Sequence, residues 1–283
     1  GGLQAVFPGT PLLCAGMTIS AVMIFINTVN GVDRKSFFSS LSILGIAVVM
    51  YVCLLILGTL SGKVFHLHGE HLQLYRAMTV FGNVGFMGIP IVVSIYPEKG
   101  MLYMAVFTII DQLMLWTLGV KLTSSEKESG TFNPKKLINP VTVAIILAMI
   151  CVLTGIRIPL VLNTALQKMG ATATPLAMIY LGGVFACIDV LSFVKKPDYY
   201  GITLIKMIGF PVLFYILLRL VPIPADIRMT MALTSAMPVM SSVVMMANAS
   251  GSDGDYAMGG IVVTTLCSVL TLPVVSWIFQ ALG

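Results

Sequence analysis

The sequence predicts an all-α membrane protein made of two related halves, each holding one helix that is broken in its middle. Three observations carry this. First, mean hydropathy is +1.00 and only 10% of the 283 residues are charged. The charges fall between neutral runs at 1–32, 36–62, 77–97, 137–156, 169–188, 229–252 and 256–283, each of 20 residues or more. About 20 residues cross a hydrocarbon core as a helix. Second, the apolar segments 76–97 and 228–252 carry helix-breaking residues at their centres. Third, short motifs recur in the same order along the two halves.

Nine membrane helices fit the pattern, at 9–30, 36–62, 74–97, 100–121, 138–156, 165–190, 199–221, 227–250 and 256–282. The spans 101–120 and 199–221 each hold charge, Asp111 in the first and Lys206 and Arg219 in the second. The polar stretch TSSEKESGTFNPKK, 123–136, divides the chain. Residues 1–122 form a first repeat, 123–137 a cytoplasmic linker and 138–283 a second repeat. Thr10-Pro11-Leu12 is echoed by Thr174-Pro175-Leu176, Arg76 and its broken helix by Arg228 and its own, and Trp116-Thr117-Leu118-Gly119 by Leu270-Thr271-Leu272-Pro273. The common order, more than any one match, relates the halves. The second half has a helix, 138–156, that the first half lacks. The expectation is therefore a five-plus-five inverted repeat whose first helix is missing here, because an odd number of spans turns the second repeat over in the bilayer. With the linker in the cytoplasm, nine basic residues, Lys206 among them, fall near that side and seven near the other, which favours this orientation.

The interrupted helices are the candidate site. In the first, Gly82, Asn83, Gly85, Gly88 and Pro90 stand at the centre; in the second, Pro238 is followed by Ser241 and Ser242. Proline removes an N–H and clashes one turn back, freeing a carbonyl. Unpaired backbone costs several kcal/mol in lipid, so such breaks persist only where protein or a polar cavity satisfies them. A pair in corresponding places points to a substrate site. We take Asn83, Gly85, Gly88, Pro90, Pro238, Ser241 and Ser242 as substrate-binding, Asn83 offering both donor and acceptor. Close helix packing is the competing account of the glycines. Asp111, a carboxylate inside a span, is a functional candidate by default. It either binds a coupling ion or ties helices together, with Gln112 as its helper.

Other classes fit poorly. The net charge of +5 and pI near 9.0 match basic loops of a membrane protein better than nucleic-acid binding. Alternating ten-residue strands are absent, which argues against a barrel. The five cysteines lie in apolar spans without paired spacing, as packing residues. His66 and His68 near Glu70 read as solvated loop residues, so no metal and no cofactor are expected. Asp189 and Asp198 read as loop charges beside Lys195-Lys196. An enzyme would need a nucleophile–base set or clustered acids and histidines within the spans, and the spans offer no histidine.

The run Gly82-Asn83-Val84-Gly85-Phe86-Met87-Gly88-Ile89-Pro90 resembles the auxin efflux carrier family in its short prokaryotic form. So do Ala236-Met237-Pro238-Val239-Met240-Ser241-Ser242 with Ala247-Asn248, and the closing stretch 264–273, TTLCSVLTLP. The resemblance covers essentially the whole chain. It implies a fold with two broken helices crossing at the bilayer midplane, a scaffold and a mobile transport body. It also implies a multi-pass permease of the cytoplasmic membrane that moves a small organic anion, such as a dicarboxylate, by alternating access. The long hydrophilic central loop of plant members is absent, which argues against auxin itself. The partners expected are the organic anion, the lipid bilayer, a proton or sodium as coupling ion, and a second copy as homodimer. The alternatives are a sodium-coupled symporter of bile-acid type, or a channel or receptor on the same fold.

Overall fold

The computed structural model describes residues 9–31, 37–38, 40–124, 140–156, 158–172, 175–176, 179, 183 and 196–282. Among them the fold is all helical, apart from one isolated backbone bridge between Gly82 and Val239. The linker residues 125–139, Thr174 and Asp189 lie outside the described residues.

The helices are α1 Gly9–Gly31, α2 Leu41–Val64, α3 Gly69–Val80, α4 Ile89–Ile95, α5 Gly100–Thr123, α6 Pro140–Thr154, α7 Leu160–Ala171, α8 Pro197–Leu218, α9 Ala225–Ser235, α10 Ser241–Ala249 and α11 Gly254–Leu282. Four of these, α2, α5, α8 and α11, are long and apolar enough to cross a membrane. Their outer faces are as apolar as their inner ones. Val49, Val52, Ile56 and Leu60 on α2 and Leu266, Val269 and Leu270 on α11 point outward, the distribution expected when the surrounding solvent is lipid.

Two expectations shift. The segment expected as one helix over 165–190 instead holds a separate helix, α7, that begins at Leu160 and ends at Ala171, just before Thr174-Pro175. Its start follows Gly155, whose φ of +73° turns the chain after α6, and Pro159. Asn163 of α7 exchanges amide hydrogen bonds with Asn30 of α1 at 3.0 and 3.1 Å. Beside this pair a cleft of about 310 Å³ opens between α1, α5 and α7. The other shift is at α3, which begins at Gly69 and so takes in Glu70, placed in a loop by its polarity.

That earlier start has a partner-driven cause. Glu70, in the first turn of α3, accepts hydrogen bonds from Ser252 Oγ and the Asp253 N–H, both at 2.6 Å. His71 lies 3.0 Å from the Asp253 carboxylate. At the start of α9, Asp226 accepts from Tyr103 Oη at 2.6 Å and Lys99 Nζ at 3.3 Å. Each acid favours the positive end of its own helix and binds the chain that follows the other broken helix.

Among the described residues, three helical turns are widened to i→i+5 hydrogen bonding, at Val84–Gly88, Leu115–Gly119 and Ile205–Gly209. Two have an evident cause. Pro90 and Pro211 each stand two residues beyond such a turn, and a proline ring clashes with the carbonyl four residues back. The central turn at Leu115–Gly119 has no proline. There a side chain on Gly119 would press on the Phe81 ring at 3.2 Å.

Asp198 corrects a loop assignment. It is buried in the first turn of α8 and accepts a hydrogen bond from the Tyr256 hydroxyl of α11.

The close approach of α5 to α4 rests on Gly100, where an added Cβ would meet the Val92 carbonyl oxygen at 2.8 Å and Val93 Cα at 3.0 Å. These are backbone atoms that cannot swing aside. Gly100→Ala should therefore cost about 1–3 kcal/mol of overpacking and lower the melting temperature of the purified protein. Gly45→Ala is the control, because nothing lies within 4 Å of its Cβ. An alanine in that helix interior should leave the melting temperature unchanged or raise it.

Candidate functional site

The two interrupted helices meet break to break. The first pauses at Phe81–Asn83 between α3 and the widened turn; the second pauses at Ala236–Met240 between α9 and α10. The Asn83 N–H donates to the Pro238 carbonyl at 2.7 Å, and the Met240 N–H donates to the Phe81 carbonyl at 3.1 Å. These bonds form the antiparallel Gly82–Val239 bridge. The Val239 N–H donates to Thr264 Oγ1 of α11 at 3.1 Å. Each break thus supplies the hydrogen bonds that the other lacks, which is what low dielectric demands of an unwound chain. Gly82 permits the approach, since a Cβ there would stand 3.2 Å from Met237 Cβ.

The sequence-identified residues take distinct places around this crossing. Asn83 ends the first pause, and its Oδ1 caps the widened turn by accepting from the Phe86 N–H at 3.4 Å. Gly85 faces open space, with nothing within 4 Å of a Cβ position. Gly88 closes the turn against Val84, Met104 and Met237. Pro90 is not in the break itself: it lies in the first turn of α4, where its missing N–H goes unneeded. Pro238 is in the second pause and offers its carbonyl to Asn83. Ser241, buried, and Ser242, half-buried, open α10. Met237, Met240 and Met246 are buried fillers around the crossing.

Asp111 lies on α5, 2% exposed. Its carboxylate accepts a hydrogen bond from the Tyr51 hydroxyl of α2 and one from Gln112 Nε2 at 2.9 Å. Tyr51 in turn packs its ring against Phe81 at a centroid distance of 5.9 Å and stacks on Phe107 at 6.2 Å. Asp111 is therefore joined to the first break through one aromatic side chain.

Lys206, which the charge count put on the cytoplasmic side, is a second buried charge at the crossing. It is 1% exposed, inside the widened turn of α8. Its ammonium donates to the Met78 carbonyl at 2.9 Å and the Phe81 carbonyl at 2.7 Å. These are carbonyls at the C-terminal end of α3, the negative end of a helix dipole. The signal was present in the sequence: a charged side chain inside a span is costly and functional by default, the same rule that singled out Asp111. Tyr51 and Thr264 left no comparable signal, since hydroxyls are common in spans.

A buried lysine and a buried aspartate thus flank a crossing of two unwound chains, at the centre of an apolar helical body. That arrangement can hold a small charged solute away from lipid. Residues 20–136 and 129–276 match the family described as membrane transport protein. An uncharacterized transporter from Methanocaldococcus jannaschii is 25% identical over 256 residues, covering 84% of this chain and 80% of that protein. With both halves matched, the chain belongs to the membrane transport protein family, that of the auxin efflux carriers.

Proposed function

We propose that this transporter is a secondary carrier of the cytoplasmic membrane that moves a small organic anion, a dicarboxylate or another weak acid, by alternating access. The observation that carries the reading is the meeting of the two helix breaks, Phe81–Asn83 and Ala236–Met240. A crossing of this kind brings two half-helix N-termini, at Val84–Gly88 and at Ser241, to one place. Both present positive dipole ends and N–H groups to an anion. Of the two negative ends, that of α3 is already neutralised by Lys206. The balance left over favours a carboxylate. Asn83, Ser241 and Ser242 supply the neutral polar groups that orient it, and Gly85 leaves room beside them.

Two further features support movement between two states. The halves are related as an inverted repeat in this reading, and the reciprocal binding of Glu70 to Ser252–Asp253 and of Asp226 to Lys99 and Tyr103 agrees with such a relation. Polar ties from Tyr51, Asp111, Lys206 and Thr264 also join α2, α5, α8 and α11 around the crossing as one body. Helices α6 and α7 pack on α1 at its side. Between them, Gly31 of α1 faces Ala105 of α5, a contact of small side chains over which two bodies can slide. Asp111 is the coupling group in this reading and carries a proton.

Uptake of labelled mono- and dicarboxylates into proteoliposomes tests the assignment. At least one should be carried with saturable kinetics and counterflow, and linear, non-saturable flux would identify a channel instead. Asn83→Ala and Pro238→Ala should insert normally, yet lose roughly tenfold or more in uptake of that substrate, the size of one hydrogen bond to a charged group. Near-normal uptake by both would move the site elsewhere.

Asp111→Asn keeps the size and part of the hydrogen bonding of the side chain, one of its two acceptor oxygens, while removing its charge. Accumulation driven by a pH gradient should be lost in this variant, while exchange at equal pH persists. Exchange needs only the loaded carrier to reorient, whereas accumulation needs a titrating group reached from both sides. Gradient-driven uptake that survived in Asp111→Asn would make the acid a structural tie between α5 and α2.

A further inference from the structure

We propose that the cleft between α1, α5 and α7 binds a small uncharged amphiphile, a carboxamide or its like on an apolar body, and that a molecule seated there stops the carrier. The binding stands apart from the carrier reading, whereas the stopping rests on it.

The cleft has the size and the lining of such a site. Its volume of about 310 Å³ is at the lower end of the roughly 300–1,000 Å³ of small-molecule pockets. Met23, Ile26 and Met101 give it an apolar part, and Asn27, Asn30 and Gln167 a part made of carboxamides. Among the described residues, no charged side chain lines it. Taking a carboxylate out of water without a partner is costly. The cleft therefore favours a neutral ligand over the anion proposed for the crossing, and the two places share no residue.

The carboxamides define what a ligand must offer. Asn30 of α1 and Asn163 of α7 exchange hydrogen bonds at 3.0 and 3.1 Å, each amide donating and accepting. Asn27 stands three residues before Asn30, and Gln167 four residues after Asn163, so each lies on the same helix face as its neighbour. Among the described residues, the side chains of Asn27 and Gln167 have no hydrogen-bond partner. Each has two donors and an acceptor oxygen to give, and a ligand amide can pair with them as Asn163 pairs with Asn30. The place matters for movement. Helices α1 and α7 form one wall, and α5, held to the crossing body by the bond between Asp111 and Tyr51, forms the other. Gly31, which faces Ala105 across this seam, also lines the cleft. A ligand hydrogen-bonded to α1 and α7 and packed on Met101 of α5 fills the gap over which the two groups slide.

The test uses naphthalene-2-carboxamide and naphthalene-2-carboxylate at about pH 7.5, well above the usual carboxylic acid range, where only the second is charged. Equilibrium binding of the tritiated carboxamide to the full chain in nanodiscs, less that to empty nanodiscs, should saturate. The carboxylate should compete at least tenfold more weakly. The double variant Asn27→Leu with Gln167→Leu should melt as the wild type does, because both side chains are exposed. It should bind the carboxamide roughly tenfold or more less tightly, the size of two neutral hydrogen bonds. Asn83→Ala should bind it unchanged. In proteoliposomes the carboxamide should lower the maximal rate of carboxylate exchange and leave KM alone. Absence of saturable binding by the wild type would overturn the site, and so would equal competition by the carboxylate or unchanged affinity in the double variant. Inhibition competitive with the carried carboxylate would place the probe at the crossing and overturn the proposal as well. Full-rate exchange with the cleft occupied would overturn the stopping. Saturable binding that the double variant loses, in a protein that moves no carboxylate, would refute the carrier reading and leave the site standing.

Discussion

Two helices that stop in the middle of a membrane protein can exist only if each satisfies the other's backbone. The Asn83 N–H to the Pro238 carbonyl and the Met240 N–H to the Phe81 carbonyl do this at 2.7 and 3.1 Å. Lipid provides no substitute partner, and each lost bond would cost several kcal/mol there. The rest of the arrangement answers to that constraint. Gly82 allows the two chains to touch, Thr264 takes the Val239 N–H, and Lys206 takes the carbonyls released at the end of α3. The acids Glu70 and Asp226 then fasten the outer ends of the same two helices to each other's following turns.

Burial of charge follows from the same cause. A lysine at 1% exposure inside a span would be prohibitive if it were alone. Here it is matched by two carbonyl dipoles, and Asp111 is matched by Tyr51 and Gln112. The network holds because every member has a partner, and removing one leaves another stranded. It also runs through Tyr51 and Phe81 to the break itself, so a change in charge at Asp111 reaches the crossing through one packed ring.

Much of this was legible in the sequence because its causes are local. Long neutral runs announced the membrane helices, and Gly82 with Asn83 and Pro238 announced the breaks, since glycine and proline act on their own stretch of backbone. The extent of the breaks was less legible. Gly85, Gly88 and Pro90 looked like unwound chain, yet they form a widened turn and the start of α4, because a proline that disrupts one hydrogen bond can be absorbed by i→i+5 bonding. The helix at α7 and the early start of α3 depend on partners far along the chain, Asn30 and Ser252–Asp253. Lys206 was visible as a charge in a span, but averaging it into a count of basic residues hid it. Asp111 stood out only because it was the lone acid of its segment.

The crossing also constrains how the molecule can move. Because the two pauses are bonded to each other, neither broken helix can shift without the other. Because Thr264 and Lys206 are bonded to the pauses, α11 and α8 must follow. Tyr51 and Asp111 hold α2 to α5 in the same way. The α1–α7 amide pair of Asn30 and Asn163 stays within a second group, α1 with α6 and α7 packed on it. The groups touch where α1 meets α5 and α10 and where α6 meets α5, and at Gly31 and Ala105 the side chains that meet are small. Sequence separation does not divide the groups, since each draws helices from both halves of the chain. What groups the helices around the crossing is the need to satisfy a buried break, which binds together every helix that contributes a hydrogen bond to it.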